Sequence, residues 1–136
     1  MHKRPKLVTV EQQTPYLQLW TFRPRCLGVN EIPKRWMFHA EKKAWRLAVQ
    51  TCLRNLSAPL QPMRKPCRLS WTYFEAGKSR DKDNISGGAR KCILDEFVQN
   101  GVLGDDGWSW IAGFDGEEFL VDKDDPRIIV VVRSAA

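Results

Sequence analysis

Strand-like and helix-like segments alternate along this chain. Residues 16–23 and Cys67–Glu75 combine aromatic and aliphatic side chains without breakers, and in Cys67–Glu75 the apolar residues occupy every second position, which is typical of strands. Residues 40–56 carry apolar side chains about every four positions, with charged residues between them, which predicts an amphipathic helix. Residues 86–100 predict a second helix, and Gly101 is a suitable C-terminal stop.

Two further strands are predicted at residues 108–114 and 128–133, and the second is a continuous apolar run suited to a central position. The acidic segment between them is expected to be an exposed connection. The order β-α-β-α-β-β predicts an α/β (α+β) fold with a small, partly parallel mixed sheet. A chain of 136 residues suggests a single domain that can form one core without disulfides.

The cysteines and the chain start exclude several classes of protein. Cys26, Cys52, Cys67 and Cys92 are widely spaced and form no CxxC pair, so buried free thiols are expected rather than a zinc site. No run of about 18 apolar residues is present, which predicts no membrane span. Residues 1–12 are interpreted as a flexible basic arm and not as a signal peptide, so a cytoplasmic protein is expected.

Charge is distributed unevenly along the chain. Residues 1–92 have a net charge of +13 and residues 93–136 a net charge of −7. A basic surface of this kind is typical of nucleic-acid-binding proteins, although a generic basic surface is the alternative. The residues predicted to contact DNA phosphates are Lys34, Arg35, Lys42, Lys43, Arg46, Lys78, Arg80, Lys82 and Arg90.

Asp81 and Asp83 are separated by one residue and are followed by Asn84 at the entry to the second predicted helix. In an extended segment, side chains at i and i+2 project to the same side, so both carboxylates can face one ion. Mg²⁺ prefers oxygen ligands and needs only a few carboxylates, because it usually retains water. The alternative is that an aspartate before a helix caps it, which is the more common role.

A second acidic pair, Asp105 and Asp106, follows the predicted helix in a glycine-flanked loop. This loop can join Asp81 and Asp83 only if the flanking strands lie side by side and the chain returns along the helix axis. The alternative is a simple turn. Lys91 precedes Asp95 by four residues, which is the spacing of an i, i+4 ion pair. The alternative is that Lys91 serves as a cation close to a scissile phosphate.

The segment RDKDNISGGARKCILDEFVQNGVLGDDGWSWI resembles the central block of the RusA-type Holliday-junction resolvases, especially those of phages and prophages. Asp81 and Asp83 match the first acidic positions of that family, Lys91 with Asp95 matches its Lys–Asp step, and Asp106 with its neighbour Asp105 matches the final acidic position. The spacing from Asn84 to Lys91 is longer than in the bacterial prototype, so Arg90 is an alternative to Lys91 as the catalytic cation.

The resemblance implies a homodimeric endonuclease that uses Mg²⁺, with Mn²⁺ as an alternative ion. Its substrate would be branched DNA, namely four-way junctions cut by paired symmetric nicks, and not a small molecule. Asp81, Asp83 and Asp106 would be catalytic and, with Asp105, would hold the metal, while Lys91 would stabilise the transition state. The setting implied is a bacterial host cell or a prophage. Two alternatives remain: a non-catalytic DNA-binding module, and a metal-dependent nuclease of flaps or single strands.

Overall fold

The computed structural model describes residues 8–14, 16–23 and 35–135, with the backbone alone for residues 13 and 35–40. Within these ranges the chain forms five strands and two helices. In chain order they are β1 (Thr9–Thr14), β2 (Leu17–Phe22), α1 (Arg35–Arg54), β3 (Cys67–Glu75), α2 (Lys82–Gln99), β4 (Ile111–Val121) and β5 (Arg127–Ser134).

The strands form one mixed sheet in the order β1-β2-β5-β3-β4. Three of the four pairings are antiparallel, and the pairing of β3 with β4 is parallel. A parallel pair needs a crossover connection, and α2 supplies it between β3 and β4. The apolar strand β5 lies between β2 and β3, which confirms the central position predicted for it. The predicted mixed α+β class is also confirmed.

The helices and one face of the sheet enclose the core. Alternate residues of β3 are buried, as the period of two requires, and they include Trp71 and Tyr73. The ring of Phe97 on α2 lies 4.7 Å from that of Trp20 on β2, measured between centroids, and both side chains are fully buried. Aromatic contacts of this kind fix the last turns of α2 against the sheet.

The sheet differs from the sequence prediction at both of its edges. Thr9–Thr14 pairs with β2, although residues 1–12 were predicted to be a flexible arm; residues 1–7 lie outside the described ranges. β4 continues to Val121, through acidic residues that were predicted to be a connection. Both are edge strands, and an edge strand can be largely polar because few of its side chains are buried.

Burial of the cysteines agrees with the prediction. Cys52, Cys67 and Cys92 are buried free thiols, whereas Cys26 lies outside the described residues. Burial raises the pKa of Cys52 and of Cys92 to about 12, because a buried thiolate loses its hydration. Neither helix of the described ranges combines the length and the apolar character that crossing a bilayer requires.

Candidate functional site at the start of helix α2

Asp81 and Asp83 lie where the chain leaves the end of β3 and enters α2. Asp81 is the N-cap residue, with φ −69° and ψ 150°, but its side chain makes no capping hydrogen bond. Asp83 lies in the first turn, and its Oδ1 accepts a hydrogen bond from the backbone N–H of Asn84 at 3.1 Å. Both residues are exposed; the side chain of Asp81 caps no backbone N–H, whereas that of Asp83 holds one N–H of the first turn through a single oxygen.

The helix begins four residues earlier than predicted, at Lys82, and this changes how the two aspartates are oriented. The expected extended geometry is wrong for Asp83, since residues two apart in a helix do not face each other. Both aspartates nevertheless line one surface cavity of about 760 Å³. Its other walls come from the β3–α2 connection, the first turn of α2 and the end of β4, and include Lys78, Ile85, Phe119, Leu120 and Val121.

Lysines supply the positive charge at this cavity. Lys78 and Lys82 are both exposed and line it, and the Lys82 Nζ lies 5.7 Å from the centroid of the Phe119 ring. Arg80 has a different role, because its Nε donates to Glu75 Oε1 at 2.8 Å. That ion pair holds Arg80 at the connection between β3 and α2, where it lines the same cavity, and the two lysines are the exposed cations there.

The Asp105–Asp106 loop lies at the opposite end of α2. Asp106 lines a second cavity with Glu96, Val98 and Gln99, which belong to the last turns of the helix. The helix has 18 residues and is about 27 Å long. The structure therefore does not bring Asp105 and Asp106 to Asp81 and Asp83 within one chain, and the predicted four-aspartate metal site is wrong as a single-chain site.

Chain topology explains this separation. β3 and β4 do lie side by side, as the prediction required, but they are parallel. In a parallel crossover, the connection that leaves the first strand and the connection that enters the second lie at opposite ends of the sheet. Among the described residues, no group of three or more His, Cys, Asp or Glu side chains is placed to hold a metal ion.

The predicted catalytic cations lie in the middle of α2. Lys91 follows Asp83 by eight residues, about 12 Å along the axis, and its Nζ lies 3.7 Å from Asp95 Oδ2. This is the i, i+4 ion pair that was the alternative to a catalytic role. Arg90 approaches β4, where its Nε lies 3.4 Å from Glu117 Oε2. The helix is continuous, so no bulge redirects either side chain toward Asp81.

The basic residues of α1 face the other end of α2. Lys42 Nζ lies 3.7 Å from Asp95 Oδ2, and Arg46 Nε lies 3.4 Å from Glu96 Oε1, a nearly buried carboxylate. Both cations thus join the two helices. Lys43 is exposed, Lys34 lies outside the described residues, and of Arg35 the structure describes only its place at the start of α1. Lys42 and Arg46 therefore lie away from Lys78 and Lys82 at the start of α2.

Trp108 is the residue whose placement the sequence did not predict. It was predicted to begin a strand, but β4 begins at Ile111, and Trp108 lies in the preceding turn with 98% of its surface exposed. Its position two residues after Asp106 and next to Gly107 is the only sequence signal for this turn.

No protein-family model matches the chain, and no curated protein matches it. The resemblance to the RusA-type resolvases therefore stays a prediction.

Proposed function

We propose that this protein is a Mg²⁺-dependent endonuclease of branched DNA, with four-way junctions as the substrate and Asp81 and Asp83 as metal-binding carboxylates. The observation that carries the proposal is the first turn of α2. Two exposed carboxylates line one cavity beside Lys78 and Lys82, and the N-cap residue Asp81 makes no capping hydrogen bond with its side chain.

The donor set fits Mg²⁺. This ion is usually held by one or two carboxylates, several waters and phosphate oxygens of the substrate. Asp81 and Asp83 supply carboxylate oxygens, and hydrogen bonding to Asn84 occupies only one of those of Asp83. When bound, the ion would act as a Lewis acid that neutralises phosphate charge and promotes attack by water.

Lys78 and Lys82 position the phosphodiester and offset its charge. Because both lysines share the cavity with the aspartates, they can contact a phosphate that enters it. They replace Lys91 and Arg90 in the proposed site, since those two side chains pair with Asp95 and Glu117 in the middle of the helix.

A cleavage assay tests this function. Synthetic four-way junction, flap, duplex and single strand are incubated with the protein, with and without Mg²⁺ or Mn²⁺, and the nicks are mapped. We expect metal-dependent, paired nicks in the junction, and no cleavage by Asp81→Asn. Faster cleavage of flap or single strand would contradict the junction as substrate.

A non-catalytic DNA-binding module is the second candidate. It is favoured by the pairing of Lys91 with Asp95 and of Arg90 with Glu117, since neither predicted catalytic cation then lies beside Asp81. In that case the wild type and Asp81→Asn bind the junction alike, and neither cuts it in the presence of either ion. The same assay therefore separates the two candidates.

A further inference from the structure

The cavity at the start of α2 has an apolar wall that the proposed chemistry does not use. Ile85 on α2 forms this wall together with Phe119, Leu120 and Val121 at the end of β4. Leu120 and Val121 are 45% and 50% exposed, so part of the wall is apolar surface in contact with solvent. An apolar surface that shares one cavity with a few charged groups is typical of a binding site.

Phe119 gives the wall a fixed aromatic ring. This ring stacks on the ring of Tyr73, with the centroids 5.0 Å apart and the planes 20° from parallel. Tyr73 is fully buried, and its hydroxyl donates a hydrogen bond to Glu117 Oε2 at 3.2 Å. The wall is therefore preformed, and a ligand that packs against it does not have to order it first.

The cavity is larger than a metal ion and a phosphate require. Six oxygen ligands around Mg²⁺, at about 30 Å³ for each water, fill about 180 Å³. The cavity has a volume of about 760 Å³. The remaining volume therefore leaves space beside the charged residues for a further group of the substrate.

Charge and distance indicate which group this is. The Lys82 Nζ lies 5.7 Å from the centroid of the Phe119 ring, so a cation proposed to meet a phosphate also borders the apolar wall. In a nucleotide a single sugar ring separates the phosphate from the base, so the base beside a phosphate at Lys82 is within reach of this wall. Aromatic and apolar side chains bind such bases by their planar faces, with little dependence on sequence.

We propose that the apolar wall binds one unpaired nucleobase of the DNA strand whose phosphate the lysines contact; this rests on the function proposed above. A base within a continuous duplex is paired and stacked on both sides, and moving it out of the helix costs free energy. That cost is lower where the base is already unpaired. The wall thus favours DNA with an interrupted helix over continuous duplex, and it does so without reading sequence.

Binding to bulged DNA, measured without divalent ions, tests the proposal. One duplex carries a single bulged nucleotide, and a second carries an abasic sugar-phosphate at the same bulge, so the two probes have equal charge. We expect the wild type to bind the first probe about fivefold more tightly or better, the lower end for contact with one base. Val121→Ser removes apolar surface at a half-exposed position, and we expect its ratio to fall to about twofold or less.

Leu17→Ser is the matched control, because Leu17 is a 45% exposed apolar residue on β2, which β5 and β3 separate from β4. It should keep the wild-type ratio. Equal affinity of the wild type for both probes, or an unchanged ratio in Val121→Ser, would overturn the proposal and leave the wall to an apolar protein segment. If the wild type prefers the base but cuts no DNA, the proposed function fails and the base site stands. If it nicks junctions but ignores the base, the reverse holds.

Discussion

Replacing Asp83 by asparagine separates a role in chemistry from a role in folding. The substitution preserves the shape of the side chain and keeps an oxygen able to accept the hydrogen bond from the backbone N–H of Asn84. It removes one negative charge from the first turn of α2. We expect the variant to bind four-way junctions as well as the wild type or more tightly, and to lose metal-dependent cleavage.

The magnitudes follow from the exposure of this residue. A charge near a helix N-terminus contributes about 0.3–1 kcal/mol through the helix dipole, so the variant stays folded. Removing a charge about 7 Å from a DNA phosphate in water relieves about 0.6 kcal/mol of repulsion. That corresponds to about threefold tighter binding at low salt without divalent ions, and to a smaller gain at physiological salt, where the screening length is about 8 Å.

Three measurements on one preparation check this reasoning: urea unfolding, junction affinity at two salt concentrations without divalent ions, and nicking with Mg²⁺. Glu11→Gln is the control, because it removes one exposed negative charge from β1, the opposite edge of the sheet. It should leave nicking unchanged. Loss of more than about 2 kcal/mol of stability in Asp83→Asn, or a parallel loss of binding and cutting, would show that the residue is structural.

Three further outcomes concern the core and the charged surface. Phe97→Ala should lower the free energy of unfolding by about 3–5 kcal/mol in urea titration, because its ring is fully buried, whereas Leu47→Ala at an exposed position should stay within about 0.5 kcal/mol. In the folded state the pKa of the Cys52 and Cys92 thiols is raised to about 12. The stability linked to these two thiols is therefore fully present below about pH 9 and is lost as the pH rises toward 12. Replacing both residues by alanine should make the unfolding free energy fall less steeply between these pH values. Lys82→Gln should weaken junction binding and reduce the salt slope of log K by about one, and an unchanged slope would place Lys82 away from the DNA.

Local sequence patterns predicted those elements whose burial follows a simple period. Cys67–Glu75 was predicted with its full bounds, because every second residue is apolar and the strand has neighbours on both sides. β1 was missed because its sequence, TVEQQT, is almost entirely polar. Val10 is the one apolar residue of this segment, and it is buried in the core. An edge strand is stabilised mainly by its backbone pairing with one neighbour, and composition does not reveal that pairing.

The sequence also predicted only part of the candidate site. The DxDN motif was predicted at the entry to a helix, and Asp81 and Asp83 lie there as exposed carboxylates, although the helix begins at Lys82. The prediction that Asp106 lies close to Asp81 and Asp83 depended on the direction of β4 relative to β3. The residues of a strand do not reveal whether it pairs parallel or antiparallel with its neighbour. Trp108 likewise required the structure, since a tryptophan beside a strand is more often buried than 98% exposed.

Helix α2 sets the distance between the two aspartate-bearing loops of one chain. It is a continuous element of 18 residues, about 27 Å long, with one loop at each end. Removing about one turn would bring the loops only about 5.4 Å closer, so no small deletion within this helix would unite the four aspartates in one chain.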